Sequence, residues 1–287
     1  MSLWLVTGLL VSQSARANSD PALNTDHWAG ATITYITNSY GTANNGTDQV
    51  QPQSQQIDTP AQTEPTKVAH LASTTLTKAA ADPLFDCKDG VTADFIAEIS
   101  QDATQLPAAW KQKLTKAGYR IVVSRTLFDS VPSARGQQVR GYKRSATWSQ
   151  IFGLFDRRHR RVVMAQLARQ TEDEKSQLIT LNDQQTRAGI LRHEFGHAID
   201  DYASYPSHSR AFARAYAVGL PRLRVQDKLA LKYYLQAGFA GKEEMFAELF
   251  AIKGGAACDP IADIVLKQKF PEAAAVVNST IRNTSGA

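Results

Sequence analysis

The segment LRHEFGHAIDD, residues 191–201, constrains the fold more than any other part of the chain. His193 and His197 are four residues apart, so on a helix both imidazoles lie on one face, with about 5–6 Å between their Cβ atoms. Two imidazoles in this arrangement can bind one zinc ion at about 2.0–2.1 Å. Glu194 can reach a water on that ion without being a ligand itself. The spacing H-E-x-x-H therefore predicts a zinc helix with a catalytic glutamate.

The residues around this motif help to distinguish it from an ordinary helix that carries two histidines. The pattern fixes only three letters, so short matches also arise by chance. Apolar residues lie on both sides of it, as expected for a helix buried beneath a cleft: Ala188, Ile190, Leu191, Ala198 and Ile199. Gly196 leaves room for another element to approach closely. These flanks favour the buried metal helix.

A catalytic zinc site needs a third protein ligand and one open position. The continuation H-x-x-G-x-x-H, which would supply a third histidine, does not occur here, because the next histidine after His197 is His208. The segment GKEEMFAELFAIKGG, residues 241–255, offers glutamates on a later predicted helix instead.

Two of these glutamates, Glu244 and Glu248, are again four residues apart on one helical face. Glu244 can bind the metal, and Glu248 can accept a hydrogen bond from a ligand histidine and fix its tautomer. Lys242 and Glu243 are expected to face water. Spacing alone does not decide which of Glu243, Glu244 and Glu248 is the ligand.

The pair of motifs HEFGHAIDDY and EEMFAELFA resembles the anthrax lethal factor-like zinc metallopeptidases, a family that includes the secreted Pro-Pro endopeptidases. The resemblance is loose over residues 82–287 and good over 188–252. It implies that Glu244, which opens the E-x-F-A-E motif, is the third zinc ligand, and that Glu248 is its second glutamate. It also extends to residues 140–166. There we expect RRVVMAQ, residues 160–166, to be the edge strand that pairs with extended substrate.

The chain departs from the family at the residue that stabilises the oxyanion. The family has a tyrosine seven residues before the third ligand, where this chain has Ala237. Tyr233 and Tyr234 are the nearest tyrosines, and a short insertion would restore the geometry. We favour Tyr234 over Tyr233. If neither reaches the metal, weak activity or another oxyanion donor is expected.

Three segments with different composition make up the chain. Residues 1–17 resemble a signal peptide, with an apolar run from Leu3 to Val11 and small residues before the cleavage point, although no basic residue precedes that run. The alternative is a buried N-terminal strand. Residues 18–81 are rich in Ser, Thr, Gln and Asn, which predicts a disordered linker. Residues 82–287 form the predicted metallopeptidase domain, which would be secreted or periplasmic.

Charge and cysteine content limit the partners. The net charge is +5, and no series of aromatic residues surrounds the densest basic run, RRHRR, so we predict no nucleic-acid partner. Beyond the N-terminus no stretch is apolar for long enough to span a bilayer, which predicts no transmembrane anchor. Cys87 and Cys258 either pair in a disulfide or are two buried thiols.

The sequence predicts an α+β, zincin-like fold, with a small mixed sheet, an active-site helix and a mainly helical C-terminal half. Helices are expected, in pieces, over 184–203, 208–219, 222–236, 242–252 and 261–283. The predicted function is a secreted zinc endopeptidase acting on a peptide or protein substrate. The alternatives are a zinc-dependent, toxin-like or surface protein that binds a target without cleaving it, and a structural protein stabilised by the metal. Oligomeric state is not predicted.

Overall fold

The computed structural model describes residues 31–33, 82–135, 137, 139, 147–172 and 175–283. The predicted signal peptide lies outside these residues, as does the predicted linker apart from residues 31–33. The predicted domain, residues 82–287, lies largely within them.

A five-stranded mixed sheet forms one layer of the molecule. Its strands are β1 (Ala31–Ile33), β2 (Phe85–Cys87), β3 (Arg120–Ser124), β4 (Gly153–Asp156) and β5 (Arg161–Ala165). The spatial order is β1-β4-β5-β3-β2, in which β2, β3 and β5 are parallel. Strand β4 is antiparallel to β5, and β1 is antiparallel to β4. A separate hairpin pairs β6 (Leu167–Glu172) with β7 (Lys175–Thr180).

The expectation that RRVVMAQ is an edge strand is wrong. Its residues form β5, which pairs with β3 on one side and with β4 on the other. Residues 162–165 are all buried, as is typical of an interior strand covered on both faces. An apolar run of this length does not reveal how many neighbours a strand has. Both β4 and β5 pack against the predicted metal helix.

Some helices lie between the strands in the sequence, and the others follow the last strand. They are α1 (Ala93–Thr104), α2 (Ala108–Lys116), α3 (Leu127–Ser130), α4 (Gln184–Tyr202), α5 (Arg210–Gly219), α6 (Val225–Ala230), α7 (Ala240–Lys253), α8 (Pro260–Lys269) and α9 (Pro271–Asn283). The helix expected over 222–236 is only the short α6, followed by turns. The region expected to be helical in pieces over 261–283 consists of α8 and α9, which are divided before Pro271, because a proline is tolerated at a helix start but not in its interior.

The central helix α4 begins where the Asp183 side chain accepts a hydrogen bond from the Thr186 amide at 2.7 Å. Every residue from Arg187 to Asp200 is buried, so this helix has no water-facing side over that length. It lies between the sheet and α7, with α1 and α2 also packed against it. The predicted α+β fold with a mixed sheet and a helical C-terminal half is confirmed.

In the part of the chain that the structure describes, no helix is both long and apolar enough to cross a membrane.

Candidate metal centre

A close contact between α4 and α7 brings the predicted site residues together. A Cβ atom added to Gly196 would lie 2.9 Å from the Ala247 Cα and 3.0 Å from its carbonyl oxygen. Only a glycine fits such an approach of two helix backbones, because any side chain would push α7 away. The predicted role of Gly196 in close packing agrees with this geometry. The contact lies one turn from His193 on α4 and between Glu244 and Glu248 on α7.

Three side-chain atoms from these helices form a small triangle. His193 Nε2 lies 3.1 Å from His197 Nε2 and 3.3 Å from Glu244 Oε2. The third side, from His197 Nε2 to Glu244 Oε2, is 3.4 Å. All three side chains are buried. Two imidazole nitrogens and one carboxylate oxygen thus converge on a single point, and could hold a metal ion there.

The size of this triangle fits zinc. In a tetrahedral site with ligands about 2.0–2.1 Å from the ion, neighbouring ligand atoms are about 3.3–3.4 Å apart. The three observed distances are close to that value. The donor set of two histidines and one glutamate leaves one position open, as catalytic zinc sites do.

Two of the three donors have protonation states that suit a metal. Burial lowers the pKa of His197 to about 4, although the Glu244 carboxylate partly opposes that effect. Burial by itself would raise the pKa of Glu244, but the imidazoles of His197 and His193 lower it to about 2. At neutral pH, His197 is therefore a neutral imidazole with a lone pair, and Glu244 is a carboxylate. Both are in the form that binds metal. The third, His193, is not: burial by itself would lower its pKa, but Cys258, Glu244 and Glu248 raise that pKa well above its ordinary value, so a metal would have to displace a proton from this imidazole.

Glu248 holds the other nitrogen of His193. Its Oε2 lies 2.7 Å from His193 Nδ1, and its Oε1 accepts hydrogen bonds from the backbone amides of Cys258 at 3.0 Å and Asp259 at 3.4 Å. A carboxylate fixed in this way keeps the proton on Nδ1 and leaves Nε2 free for a metal. The loop that supplies the two amides can approach because residue 189 is a glycine. A Cβ there would lie 2.4 Å from the Ala257 carbonyl oxygen.

A second set of donors, His193, Glu248 and Cys258, is also compact enough to hold an ion. Two observations favour the first set. His193 Nδ1 and Glu248 Oε2 are 2.7 Å apart, which is a direct hydrogen bond and too short for two ligands of one tetrahedral zinc ion. Burial and the Glu248 carboxylate also raise the pKa of the Cys258 thiol well above its ordinary value, whereas zinc binds the thiolate.

Glu194 lies beneath strand β4. Its side chain is buried, and a Cβ on Gly153 would be 3.2 Å from its Cγ and 3.3 Å from its Oε1. The same Cβ would be 2.4 Å from the Ile190 side chain. The glycine at the start of β4 therefore lets the sheet come within van der Waals distance of the glutamate. This contact fixes the position of Glu194 relative to the strand.

Tyr233 and Tyr234 both lie in the turns between α6 and α7. Tyr234 is fully buried and Tyr233 nearly so, with their rings in edge-to-face contact at 5.5 Å. The Tyr234 carbonyl accepts a hydrogen bond from the Tyr216 hydroxyl at 3.0 Å, which anchors this turn to α5. A role for either hydroxyl as oxyanion donor stays a prediction.

The expectation that Glu243 faces water is wrong. Glu243 is buried, its Oε1 is 2.7 Å from His208 Nε2, and its carboxylate lies 3.7 Å from Arg157. The His208 ring is stacked on Phe239 at 4.0 Å and on Tyr205 at 4.8 Å. Sequence spacing could not reveal this second Glu–His pair, because its members come from separate elements. Lys242 is half-buried.

The two cysteines are free thiols among the described residues, so the disulfide left open by the sequence is not formed here. Cys87 is half-buried on β2. Cys258 is buried at the metal centre, where its amide donates to Glu248. Neither this amide nor Gly153 was among the residues predicted for the site, since neither contact has a local signature in the sequence. A Cys-Asp-Pro sequence just before a helix was the available hint, because amides at a helix start are donors without intrahelical partners.

Comparison with known proteins found similarity to solved structures but not to protein-family models or curated proteins. No protein-family model matches this chain, and no curated protein matches it. A solved structure of the Pro-Pro endopeptidase PPEP-2 from Paenibacillus alvei is similar over 73% of this chain and 99% of that one, with 16% sequence identity and a TM-score of 0.46.

Proposed function

We propose that this protein is a zinc-dependent endopeptidase. His193, His197 and Glu244 hold the zinc ion, Glu194 is the general base, and Glu248 orients His193. The observation that carries the proposal is the buried triangle of two imidazole nitrogens and one carboxylate oxygen, with sides of 3.1, 3.3 and 3.4 Å. Burying polar groups is costly unless they are satisfied, and a shared cation would satisfy all three of these donor atoms at once.

The chain's own residues then do the following. A bound zinc ion supplies acidity that brings a water molecule towards deprotonation near neutral pH and polarises a carbonyl. Glu194 takes the proton from the attacking water and passes it to the leaving amine. Tyr234, or Tyr233 in its place, donates a hydrogen bond to the oxyanion of the tetrahedral intermediate.

The resemblance of HEFGHAIDDY and EEMFAELFA to the anthrax lethal factor-like metallopeptidases supports this assignment of roles. We propose membership of that family on those motifs. Export by residues 1–17 is proposed on composition, and so is a linker over 18–81, except that residues 31–33 form strand β1 and are not part of a disordered segment. A peptide or protein is the proposed substrate.

Replacing the general base tests the proposal. The full chain, its Glu194→Gln variant and its Glu272→Gln variant would be purified, and zinc content and cleavage of a quenched-fluorescent peptide library measured for each. Glu272 pairs with Arg222 on the surface, so its variant controls for loss of one carboxylate elsewhere. We expect about one zinc per chain in all three proteins. Cleavage should fall by about 10²–10⁴-fold in Glu194→Gln alone.

Substantial cleavage by Glu194→Gln would exclude Glu194 as the base. Absence of zinc from the native chain, even after incubation with the metal, would exclude the proposed zinc-dependent peptidase function.

One observation favours a second function, a zinc-dependent protein that binds its target without cutting it. The family's oxyanion tyrosine is replaced by Ala237, and no local signal assigns that task to another residue. Zinc at full occupancy with no cleavage of any library peptide by the native chain would favour this alternative.

A further inference from the structure

The outer edge of β4 is occupied by the chain itself. Strand β4 begins at Gly153, the residue in contact with Glu194, and on its inner side it pairs with β5. On its outer side it pairs antiparallel with β1, in the register Ala31 to Asp156, Thr32 to Phe155 and Ile33 to Leu154. Strand β1 also lies against α4, the helix that carries the histidines.

An unpaired edge at this position would accept an extended peptide. The outer edge of a strand presents a row of backbone N–H and C=O groups, which add another strand through main-chain hydrogen bonds. A peptide paired with β4 would pass beside Glu194, since Gly153 touches that side chain. Residues 31–33 satisfy the same backbone groups from within the chain.

We propose that residues 31–33 are an intramolecular strand that occupies the peptide-binding edge of β4 and so keeps the metal centre closed to extended peptides. The inference rests on the proposed function for one point, namely that the edge of β4 binds peptide substrate. The pairing itself is a property of the fold.

The antiparallel register places the end of β1 towards the centre. Ile33 pairs with Leu154, the neighbour of Gly153, so the C-terminal end of β1 lies at the Gly153 end of β4. Only three residues pair, and each net backbone hydrogen bond contributes about 0.5–1.5 kcal/mol. An element held this weakly can open without unfolding the domain. Release of β1, by a competing peptide or by cleavage within residues 34–81, would expose the edge.

Two consecutive prolines would test the pairing in the full chain. Successive residues of a strand direct their N–H groups to opposite sides, so Thr32→Pro/Ile33→Pro removes at least one donor to β4 whichever residue supplies it. The matched control is Thr47→Pro/Asp48→Pro, which adds the same two prolines outside the strand. Hydrogen exchange of the Leu154–Asp156 amides reports directly on the edge, and we expect faster exchange only in the strand variant.

Peptide binding supplies the second readout. The probe is a fluorescein-labelled synthetic copy of residues 28–36, WAGATITYI, and Glu194→Gln is added to every protein so that the probe stays intact. If the closed state is populated about ten to one, the strand variant should bind the probe about tenfold more tightly than the native sequence and the control.

Equal affinity in all three proteins, or unchanged exchange at β4, would overturn the proposal. Cleavage of the peptide library, measured without Glu194→Gln, separates it from the proposed function. Faster exchange and tighter binding without any cleavage would leave the self-pairing intact and remove the enzyme. Cleavage that is equal with and without the prolines, together with equal probe binding, would keep the proposed peptidase function and overturn the proposal that β1 blocks the edge.

Discussion

Two glutamates of helix α7, Glu243 and Glu248, each pair with a histidine from another element at the same distance, but the two pairs have different surroundings. Glu248 is 2.7 Å from His193, and Glu243 is 2.7 Å from His208. In the first pair both side chains are wholly buried. In the second the histidine is 29% exposed and the glutamate 6%.

The two pairs differ in the contacts that each histidine ring makes beyond its glutamate. The second nitrogen of His193 points to two further donors, His197 and Glu244. The ring of His208 is instead stacked between Phe239 and Tyr205, and its glutamate also faces a cation, Arg157. The pair at His193 is therefore arranged to orient a ligand, and the pair at His208 ties α7 to a neighbouring turn. A Glu–His contact becomes a metal site only where further donors converge on the free nitrogen.

The largest expected difference between the two regions is in metal binding. His197→Ala removes one of the three donors, and we expect the full chain to lose its zinc. His208→Ala should retain about one zinc per chain, because no atom of His208 belongs to the triangle. Metal analysis after extensive dialysis measures both. Loss of zinc from the His208 variant would show that the second pair also serves the metal.

A smaller loss should follow from separating α4 and α7. In Gly196→Ala the new methyl group collides with the Ala247 backbone, which cannot move without α7. We expect a cost of about 1–3 kcal/mol in the free energy of unfolding, with weaker zinc binding. Urea denaturation and zinc titration measure the two effects.

Gly254→Ala is the control for that substitution. The atom nearest to its new methyl group would be the Arg192 Cδ, in a flexible side chain, at 2.9 Å. A cost below about 1 kcal/mol is expected there. If Gly196→Ala is equally mild, the close helix contact is not what positions the ligands.

The carboxylates of the two pairs allow a matched substitution. Glu248→Gln keeps the size of the side chain but removes the charge that fixes His193, and zinc affinity should fall by about 10–100-fold. Glu243→Gln should leave zinc affinity within a factor of about two, because Glu243 is not one of the three donors, and should cost about 1–3 kcal/mol of stability, because it weakens a buried hydrogen-bonded pair. Competition with a chromophoric chelator gives both affinities. Similar affinities in the two variants would remove the proposed orienting role of Glu248.

The smallest effect concerns Asp200, one turn beyond His197 on α4. Burial raises its pKa to about 7, although the hydroxyl and amide of Ser207 hydrogen-bond to it and partly oppose this. Between about pH 4 and pH 7 the folded chain holds a proton that the unfolded chain has lost, so stability decreases as pH rises through this range. Asp200→Asn cannot ionise and should lack this decline.

We expect the two proteins to diverge by on the order of 1–2 kcal/mol between about pH 5 and pH 8, with the variant gaining relative stability at the higher pH. Urea unfolding at both pH values measures this. Parallel pH dependence in the two proteins would mean that Asp200 ionises normally in the folded chain.

Much of the α+β fold and of the ligand set could be predicted from the sequence. The helix expected over 184–203 is observed over Gln184–Tyr202, and the helix expected over 242–252 is observed over Ala240–Lys253. Both follow from local spacing of apolar residues and from Asp183 at the start of α4. The expected helix over 222–236 was mostly wrong, because buried tyrosines in a turn have the same apolar spacing as a helix face.

The sequence by itself determined which potential metal-binding side chains share one face of α4 and one face of α7. Helical periodicity is a local property, so residues four apart share a face in any fold that keeps the helix: His193 with His197, and Glu244 with Glu248. The residue types then define the donors. The motif resemblance also favours Glu244, among the three glutamates of this segment, as the third metal ligand.

Only the tertiary structure decided how these faces meet. Gly196 against Ala247 sets the distance between the helices, and the amides of Cys258 and Asp259 hold Glu248. The sheet order places β4 between β5 and β1, and the packing of the sheet on α4 brings Gly153 of β4 beside Glu194. These are contacts between segments far apart in the chain. Local spacing carries no information about them, because the same apolar strand can be placed at an edge or in the middle of a sheet.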